Sequence, residues 1–473
     1  MGVSREEIVW CYRALLGRAP ESEAVVESHQ GDQDFKRLVE RIVLSAEFAA
    51  AKSASAAAGQ ALMSVVMPSF NQAAFIEESV RSVLRQDYQP LELIVMDGGS
   101  TDSTLNRLES LQGEFGCRLR WISERDSGPA NAINKAFKLA RGEFIGWLNS
   151  DDLYTPGAAA TAARHLAANP DTLMVYGEGQ HIDAQGLPLG RYPTRPPSAS
   201  IQAFHDGCYI CQPTVFLRRE VFDAIGYLDE SLGTAFDFDF WLRIFRRFPE
   251  RIAYLDRLQA CSRLHGDCIT QRQRRQVAVE GVRLLARHVS KPRPHWLLTY
   301  RDEACASYPF NSGPVFDLRR HMAEIIAEVE DCFDSEALTW LSAEMARDAR
   351  LKLALPGVFA SVYPDGWAPA NLALRLRGLP AGCTSISVKG LHAWPVFFPL
   401  YLTVSTSWGD EQRITIDKPG PFELRIPLPN GLPGESATVL IASKDTFVPR
   451  LVEPESTDGR QLAFKLEALC LND

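Results

Sequence analysis

Between position 62 and about 270 the apolar residues recur in two alternating rhythms. The runs SVVMPSF, LELIVM and FIGWLNS are nearly continuously apolar over strand lengths. Between and around them, AFIEESVRSVLRQ and GPANAINKAFKLA carry apolar residues three and four positions apart, the period of a helix with one buried face. In the first of these helices that face is Phe75, Val80, Val83 and Leu84. Strands alternating with amphipathic helices predict a mostly parallel sheet with crossover helices. Ser127 is placed to cap the second helix, with Pro129 near its first turn, and free N–H groups there suit an anionic ligand.

Other rhythms flank this core. Residues 3–50 read as two or more helices: Ser4 and Glu7 have capping-box spacing, Ile8, Tyr12, Leu15 and Leu16 follow at helical spacing, Gly17 and Pro20 interrupt, and a further helix is expected near Phe35–Phe48. Positions 49–61 are mostly small residues without period and read as a linker or a frayed helix. Residues 271–350 are helical, arginine-rich at first, with two amphipathic helices around Phe316–Phe333 and Ser335–Leu353. From about 357, TSISVKG, LYLTVSTSW, RITID, FELRIPLP, TVLIAS and LAFKLEA alternate or run apolar between Gly, Pro, Asp and Asn, as in an all-β sandwich or jelly roll. The expected division is 1–61, helical module and linker; 62–275, α/β domain; 276–355, helical connector; 356–473, β-sandwich.

Composition narrows the classes. At 473 residues the chain is too long for one core. A net charge of −9 and a pI of about 5.6 argue against nucleic acid as a partner. No apolar run reaches the ~18 residues of a membrane span, and MGVSREEIVWCY lacks the basic-then-apolar order of a signal peptide. The 10 cysteines show no disulfide rhythm, so a reducing cytoplasm is expected. Cys208, Cys211, Cys261 and Cys268 would form a zinc site only if all four converged; the other reading is buried small apolar residues.

Three acidic clusters stand where the chain should turn: Asp97 in MDGGSTD, Asp151 and Asp152 in LNSDD, and Asp237 and Asp239 in FDFDFWLR. The first two follow strand-like runs, and the C-terminal ends of parallel strands are where open α/β sheets bind ligands. Several acids in one crevice repel unless a cation or hydrogen-bond donors offset them. Asp97 can accept a hydrogen bond from a nucleobase N–H; before Gly98 and Gly99 it also reads as a turn residue. Asp151 and Asp152 suit an oxygen-preferring cation or, less specifically, a surface turn. Phe236 and Phe238 can desolvate Asp237 and raise its pKa toward that of a general base. Asp239 either orients Asp237 or caps the helix. The arginines from Arg243 to Arg275, including Arg257 and Arg263, read mostly as a solvated helix face, Arg272 and Arg274 being the two set apart to clamp a diphosphate.

In order along residues 64–270, SVVMPSFNQAAFIEESVRSVLRQDYQPLELIVMDGGSTDST, SERDSGPANAINKAFKLARGEFIGWLNSDD, QPTVFLRREVFDAIGYLDESL, FDFDFWLR and RLHGDCIT resemble a family 2 glycosyltransferase of the GT-A fold, over a little under half the chain. The resemblance implies a Rossmann-like, mostly parallel sheet and an inverting enzyme that uses Mn2+ or Mg2+. It implies a UDP- or dTDP-type sugar donor and a glycan or lipid-linked glycan acceptor, in capsule, O-antigen or exopolysaccharide synthesis. It places Asp97 at the base, with Pro68 and Phe70 lining the base pocket and Asn71, Asp126, Asn131, Lys135, Asn149 and Ser150 along the nucleotide sugar. Asp151 and His265 become metal ligands, Asp152 a loop support, and Asp237 the catalytic base. Asn149 departs from the family's usual acid, as does Phe236. The implied location is cytoplasmic, at the inner face of the membrane. YRALLGRAP…LSAEF resembles a helical module, and DTFVPRLVEPESTDGRQLAFKLEAL an accessory β-sandwich tail, of polysaccharide-related proteins. In the sandwich, Trp367, Trp394 and Trp408 are either sugar-stacking or core residues. Two rival functions are a sugar-nucleotide pyrophosphorylase, disfavoured by SFNQAAF after the first strand, and a non-catalytic glycan-binding scaffold with a decayed transferase domain.

Overall fold

The computed structural model describes residues 61–472 except 198–199, 290, 308–316, 393–398, 430–431, 433–436 and 453–454, together with 3, 5, 8, 12, 20, 22–30 and 38 near the N-terminus. Helix α1 (Glu23–Gln30) lies in that first stretch. The capping box at Ser4 and Glu7, the helix expected near Phe35–Phe48, the linker from 49 to 60 and Trp394 lie outside the described residues, single positions apart. The chain divides into two compact units, Met1–Ser290 and Lys291–Asp473.

The first unit is built on a nine-stranded sheet in the order β3-β2-β1-β4-β8-β6-β9-β5, with β7 on β6. Strands β1 (Met63–Ser69), β2 (Leu91–Asp97), β3 (Leu119–Ser123) and β4 (Phe144–Trp147) pair in parallel. Every side chain of β2 is buried, as expected for a strand covered on both faces. Helices α2 (Ile76–Leu84), α3 (Thr104–Phe115) and α4 (Pro129–Leu139) follow β1, β2 and β3. Beyond β4 come β5 (Leu153–Tyr154), helix α5 (Ala158–Ala168), β6 (Met174–Ile182), β7 (Pro188–Arg191) and β8 (Phe216–Arg218). Then follow α6 (Glu220–Ile225), α7 (Phe236–Arg247), β9 (Ile252–Arg263), the single turn α8 (Ile269–Arg272) and α9 (Arg274–His288). Strand β9 runs parallel to β6, whereas β8 is antiparallel to β4 and β6, β7 to β6, and β5 to β9. The first unit is thus a mixed α/β sheet, parallel over β1 to β4 and mixed beyond.

Two local expectations need correction. Ser127 does not cap α4: Gly128, at φ 135°, holds that position with Pro129 just inside the helix, and the N–H of Gly128 goes to Asp126 Oδ1 at 2.9 Å. Glycine tolerates that φ without a Cβ clash. Phe75 precedes α2 and is only half-buried; Ile76, Val80, Val83 and Leu84 form the core-facing stripe instead.

The second unit starts with helices α10 (His295–Ser307), α11 (Leu318–Val329), α12 (Ser335–Arg347) and α13 (Ala349–Leu353). The helix expected over Ser335–Leu353 is broken at Asp348, which leaves the helix and accepts the N–H of Arg350. Two antiparallel sheets follow. One pairs β10 (Val358–Ala360), β12 (Asn371–Leu376), β17 (Ala437–Ser443), β14 (Leu400–Thr406) and β15 (Glu411–Ile416). The other pairs β11 (Trp367–Pro369), β18 (Leu462–Asn472), β13 (Ser385–His392) and β16 (Gly420–Pro427). Leu374, Val439 and Leu402 of the first and Ile386, Leu424 and Phe464 of the second share one core, so the unit is a β-sandwich. Trp367 lies edge-on to Phe447, and Trp408 packs on the core and donates to Asp410, which favours the core reading for both.

Helix α9 braces α7 from within the first unit. Its Glu280 accepts the N–H groups of Gly233, Thr234 and Ala235 at 2.8–2.9 Å, serving the start of α7 where no local side chain caps it. A chain ending at Ser290 should therefore melt cooperatively, whereas one ending at Gln273 should lose roughly 5–10 °C in Tm, followed by circular dichroism. Equal melting of both would show that α9 carries no such load.

Candidate active site

The loops after β1 and β2 are laced together by their own side chains. Asp97 ends β2 with 1% of its surface exposed. Its Oδ2 accepts the N–H groups of Gly99 (3.0 Å) and Ser100 (2.8 Å) and the Ser123 hydroxyl (2.7 Å); Oδ1 accepts the Ser100 hydroxyl (2.5 Å). The turn reading of Asp97 is thus realised, and Oδ1 is the oxygen with accepting capacity left. Asn71, at φ 53°, donates its N–H to Ser100 Oγ and accepts the Thr101 N–H on Oδ1 at 2.8 Å. Gln72 and Ala73 donate to Thr104 and Asp102. Phe70 stands out at 58% exposure beside half-buried Pro68. A Cβ on Gly98 would lie 2.6 Å from Asp126 Oδ2 and 3.4 Å from the Phe70 ring. Phe70, Gly98 and Asp126 therefore meet in one place, with glycine leaving room between them.

The loop after β4 is held by one arginine from β9. Arg263 is 2% exposed. Its Nε donates to the Asp151 carbonyl (2.8 Å), one terminal nitrogen to the carbonyls of Asp183 and Ala184 (3.2 Å each), and the other to Glu78 (2.6 Å). Its backbone N–H donates to Asp152 Oδ1 at 2.8 Å, and Asn149 Nδ2 donates to the other oxygen at 3.2 Å. Burial, and then the charge of Asp151, push the Asp152 carboxyl well above the usual carboxylate range. Asn149 also joins Trp147 and Gln212, and the Ser150 carbonyl accepts from Ser79.

Asp151 differs from its neighbour. It is half-buried, and its Oδ2 lies 2.9 Å from His265 Nε2. His265 leans on the Phe75 ring, centroids 4.7 Å apart. The chain turns tightly after it: Cys268 N–H donates to the His265 carbonyl at 3.1 Å, and the Cys268 thiol donates to the Arg263 carbonyl at 3.2 Å. Burial pushes that thiol up to about 11. The Asp151, His265 and Cys268 donor atoms lie within 4.8 Å of one another, the one such grouping of three among the described residues. Cys208, Cys211 and Cys261 therefore do not converge with Cys268, and the four-cysteine site is not formed.

Asp237 and Asp239 sit two residues apart in contrasting surroundings. Asp237 is half-buried, with Oδ1 accepting the Phe238 N–H at 2.7 Å. Burial raises its pKa to about 6, and the charge of Glu280 adds to the shift. Phe236 beside it stacks on Trp147 at 6.0 Å, which ties the start of α7 to the end of β4. Asp239 is buried at 3% exposure and lies 2.8 Å from Arg243 and 2.9 Å from His288. Burial would raise Asp239, but hydrogen bonds and charge from His288 and Arg243 outweigh it and hold the carboxyl below its ordinary value. It ties α7 to α9, rather than capping α7.

The remaining candidates are locally occupied or peripheral. Asn131 donates to Glu230 at 2.8 Å, and Lys135 pairs with Glu124 at 2.6 Å. Arg272 is exposed, and Arg274 donates to Gln271. The arginine run is not one helix face: Arg257 and Arg263 are on β9, and Arg257 donates inward to Thr161 and the Pro156 carbonyl. Local reading passed over Glu280, put Arg263 on a solvated helix face, and weighed Cys268 only together with the other three cysteines.

Residues 64–226 match the family model described as Glycosyl transferase family 2. An uncharacterized glycosyltransferase of Rickettsia conorii is 29% identical over 220 residues, 44% of this chain and 34% of that protein. Chondroitin synthase of Escherichia coli is 28% identical over 183 residues, 39% of this chain and 26% of that protein. A crystal structure of S. aureus TarS 1-349 aligns with TM-score 0.44 and 17% identity, over 60% of this chain and 85% of that one. The chain thus carries a family 2 glycosyltransferase domain, and it spans about a third of the length of the first of these relatives.

Replacing Arg263 tests its holding role. Arg263→Met should destabilise the chain by at least ~3 kcal/mol, because the Asp151, Asp183 and Ala184 carbonyls and the Glu78 carboxylate lose their donors together. Arg263→Lys should recover only part of this, since an ammonium lacks the planar fork. Urea unfolding midpoints check both.

Proposed function

We propose that this chain is an inverting glycosyltransferase. It would move a sugar from a UDP- or dTDP-type donor to a hydroxyl of a glycan or lipid-linked glycan, in the building of a cell-surface polysaccharide. The observation that carries the reading is Asp237, a carboxylate raised to about 6 by burial at a helix start whose neighbouring acid is bound up with His288 and Arg243. A base with a pKa near the working pH is partly ionised and still strong enough to accept a proton. In the proposed step Asp237 takes the acceptor's O–H proton. The acceptor oxygen forms a bond to the anomeric carbon from the face opposite the leaving group. The bond from that carbon to the β-phosphate oxygen breaks, and the nucleoside diphosphate leaves with the electron pair.

Phe70, Pro68, Gly98 and Asp126 would form the slot for the base, with Asp97 shaping the loop and offering Oδ1. Asn71, Asn131, Lys135, Asn149 and Ser150 would line the nucleotide sugar, Asn131 and Lys135 by exchanging Glu230 and Glu124 for the donor, and Arg272 and Arg274 would reach its diphosphate. Carboxylate and imidazole at 2.9 Å are a donor set that fits a divalent cation, and Asp151 and His265 would hold it. Bound Mn2+ or Mg2+ supplies Lewis-acid neutralisation of the diphosphate. Asp152 supports the loop instead, because its two oxygens already accept from Arg263 and Asn149. No helix among the described residues is long and apolar enough to cross a membrane. The proposed setting is the cytoplasmic face, where lipid-linked acceptors are within reach.

Asp237→Asn should lower transfer by roughly 10²–10⁴-fold and leave donor affinity near that of the native chain. The base must be ionised, so kcat/KM of the native chain should fall as pH drops through about 6, and the Asn variant should lose that limb. Near-native turnover of Asp237→Asn with the true acceptor would remove the assignment; Asp239, already ion-paired, is a poor substitute.

Donor binding should need the cation. Calorimetric titration of UDP and dTDP with Mn2+, and again with EDTA, should show clear weakening without metal, and Asp151→Asn should mimic the EDTA result. Equal affinity in all three would take the metal out of the reading.

A further inference from the structure

The turn His265–Cys268 presents two metal-ligating side chains on the same side as Asp151. The backbone bond from Cys268 N–H to the His265 carbonyl (3.1 Å) and the approach of the His265 N–H to Cys268 Sγ (3.3 Å) set the turn. Arg263 fixes both partners at once: its Nε holds the Asp151 carbonyl, and its own carbonyl accepts the Cys268 thiol. The three donor atoms fall within 4.8 Å of one another. Metal–ligand bonds of about 2.0–2.3 Å put opposite ligands up to ~4.5 Å apart, so a small closure of this triangle rings one ion.

We propose that Cys268 is a third metal ligand and that Asp151, His265 and Cys268 form a mixed oxygen, nitrogen and sulfur site for a thiophilic divalent ion of the Zn2+, Co2+ or Cd2+ kind. The inference rests on the reading of Asp151 and His265 as the metal-holding pair. It adds a sulfur that this reading does not require. Oxygen-only sets suit Mg2+, whereas imidazole and thiolate favour Zn2+ and its neighbours. On ligation the S–H bond to the Arg263 carbonyl is given up, its proton leaves to solvent, and a lone pair of the thiolate binds the ion. Three protein ligands leave a position open for a phosphate oxygen, as sites that take substrate do. The ion preference of the crevice is then decided by Cys268 rather than by the acids alone.

The test is a Co2+ titration of the full reduced chain after chelation, alone and with UDP, in the native chain, Cys268→Ser and His265→Gln. A near-ultraviolet thiolate-to-cobalt absorption should saturate at one equivalent in the native chain and vanish in Cys268→Ser. Visible cobalt absorption should persist in Cys268→Ser, and the preference for Zn2+ over Mn2+ by competition should fall at least ~10-fold. Visible absorption that depends on His265 without a thiolate band would overturn the sulfur ligand and leave the Asp151–His265 pair standing. A thiolate band unchanged in Cys268→Ser would trace to other cysteines and overturn it too. Absence of any His265-dependent Co2+ binding, with or without UDP, would remove the pair as well as the inference. Circular dichroism of Cys268→Ser, a near-isosteric change, confirms that the comparison is between folded chains.

Discussion

Arg263 joins four segments that are distant in the chain: Glu78 on α2, the Asp151 carbonyl after β4, the Asp183 and Ala184 carbonyls at the β6–β7 turn, and its own strand end, two residues before His265. A guanidinium this deeply buried persists only if its donors are matched, because desolvating a cation without partners costs several kcal/mol. The planar fork therefore permits few arrangements of those segments. His265 and Cys268 inherit their distance to Asp151 from that constraint, so the metal-ligating geometry depends on a residue that is not itself a ligand.

The acids gathered at the strand ends do not all remain charged. Asp97 is occupied by two N–H groups and two hydroxyls, and burial beside Asp151 shifts Asp152 toward its protonated form. Asp239 stays ionised against Arg243 and His288. That leaves Asp151 facing an imidazole and Asp237 desolvated by burial, which are the environments that cation binding and proton abstraction respectively need. Glu280 links the two ends of this logic. It caps the approach to α7, and its charge helps raise Asp237.

Much of the scaffold was legible from periodicity. The nearly continuous apolar runs became β1, β2 and β4, and the apolar stripe of α2 appeared with Phe75 shifted off it. In the second unit the alternating segments became β13 to β18. Strands that carry charge were not legible. In β9, IAYLDRLQACSR places Asp256, Arg257 and Arg263 within one strand; Asp256 is exposed, and the two arginines bond groups brought in from the loop after β4, the β6–β7 turn, α2 and α5. Local reading therefore assigned its arginines to a helix face. The cap of α4 was misjudged by one residue: the position falls to Gly128, at φ 135°, and no side chain caps the helix there.

By itself the sequence determined which chemistry is available and roughly where: carboxylates after apolar runs, a histidine and cysteine three apart, and aromatic residues around Asp237. These are local properties, set by side-chain type and by spacing along a strand or a turn. Only the tertiary structure decided which carboxylate is free, which is paired and which is desolvated. Charge state depends on dielectric and on partners within a few ångströms, and here those partners, Arg263 for Asp152, His288 for Asp239 and Glu280 for Asp237, lie 111, 49 and 43 positions away in the chain.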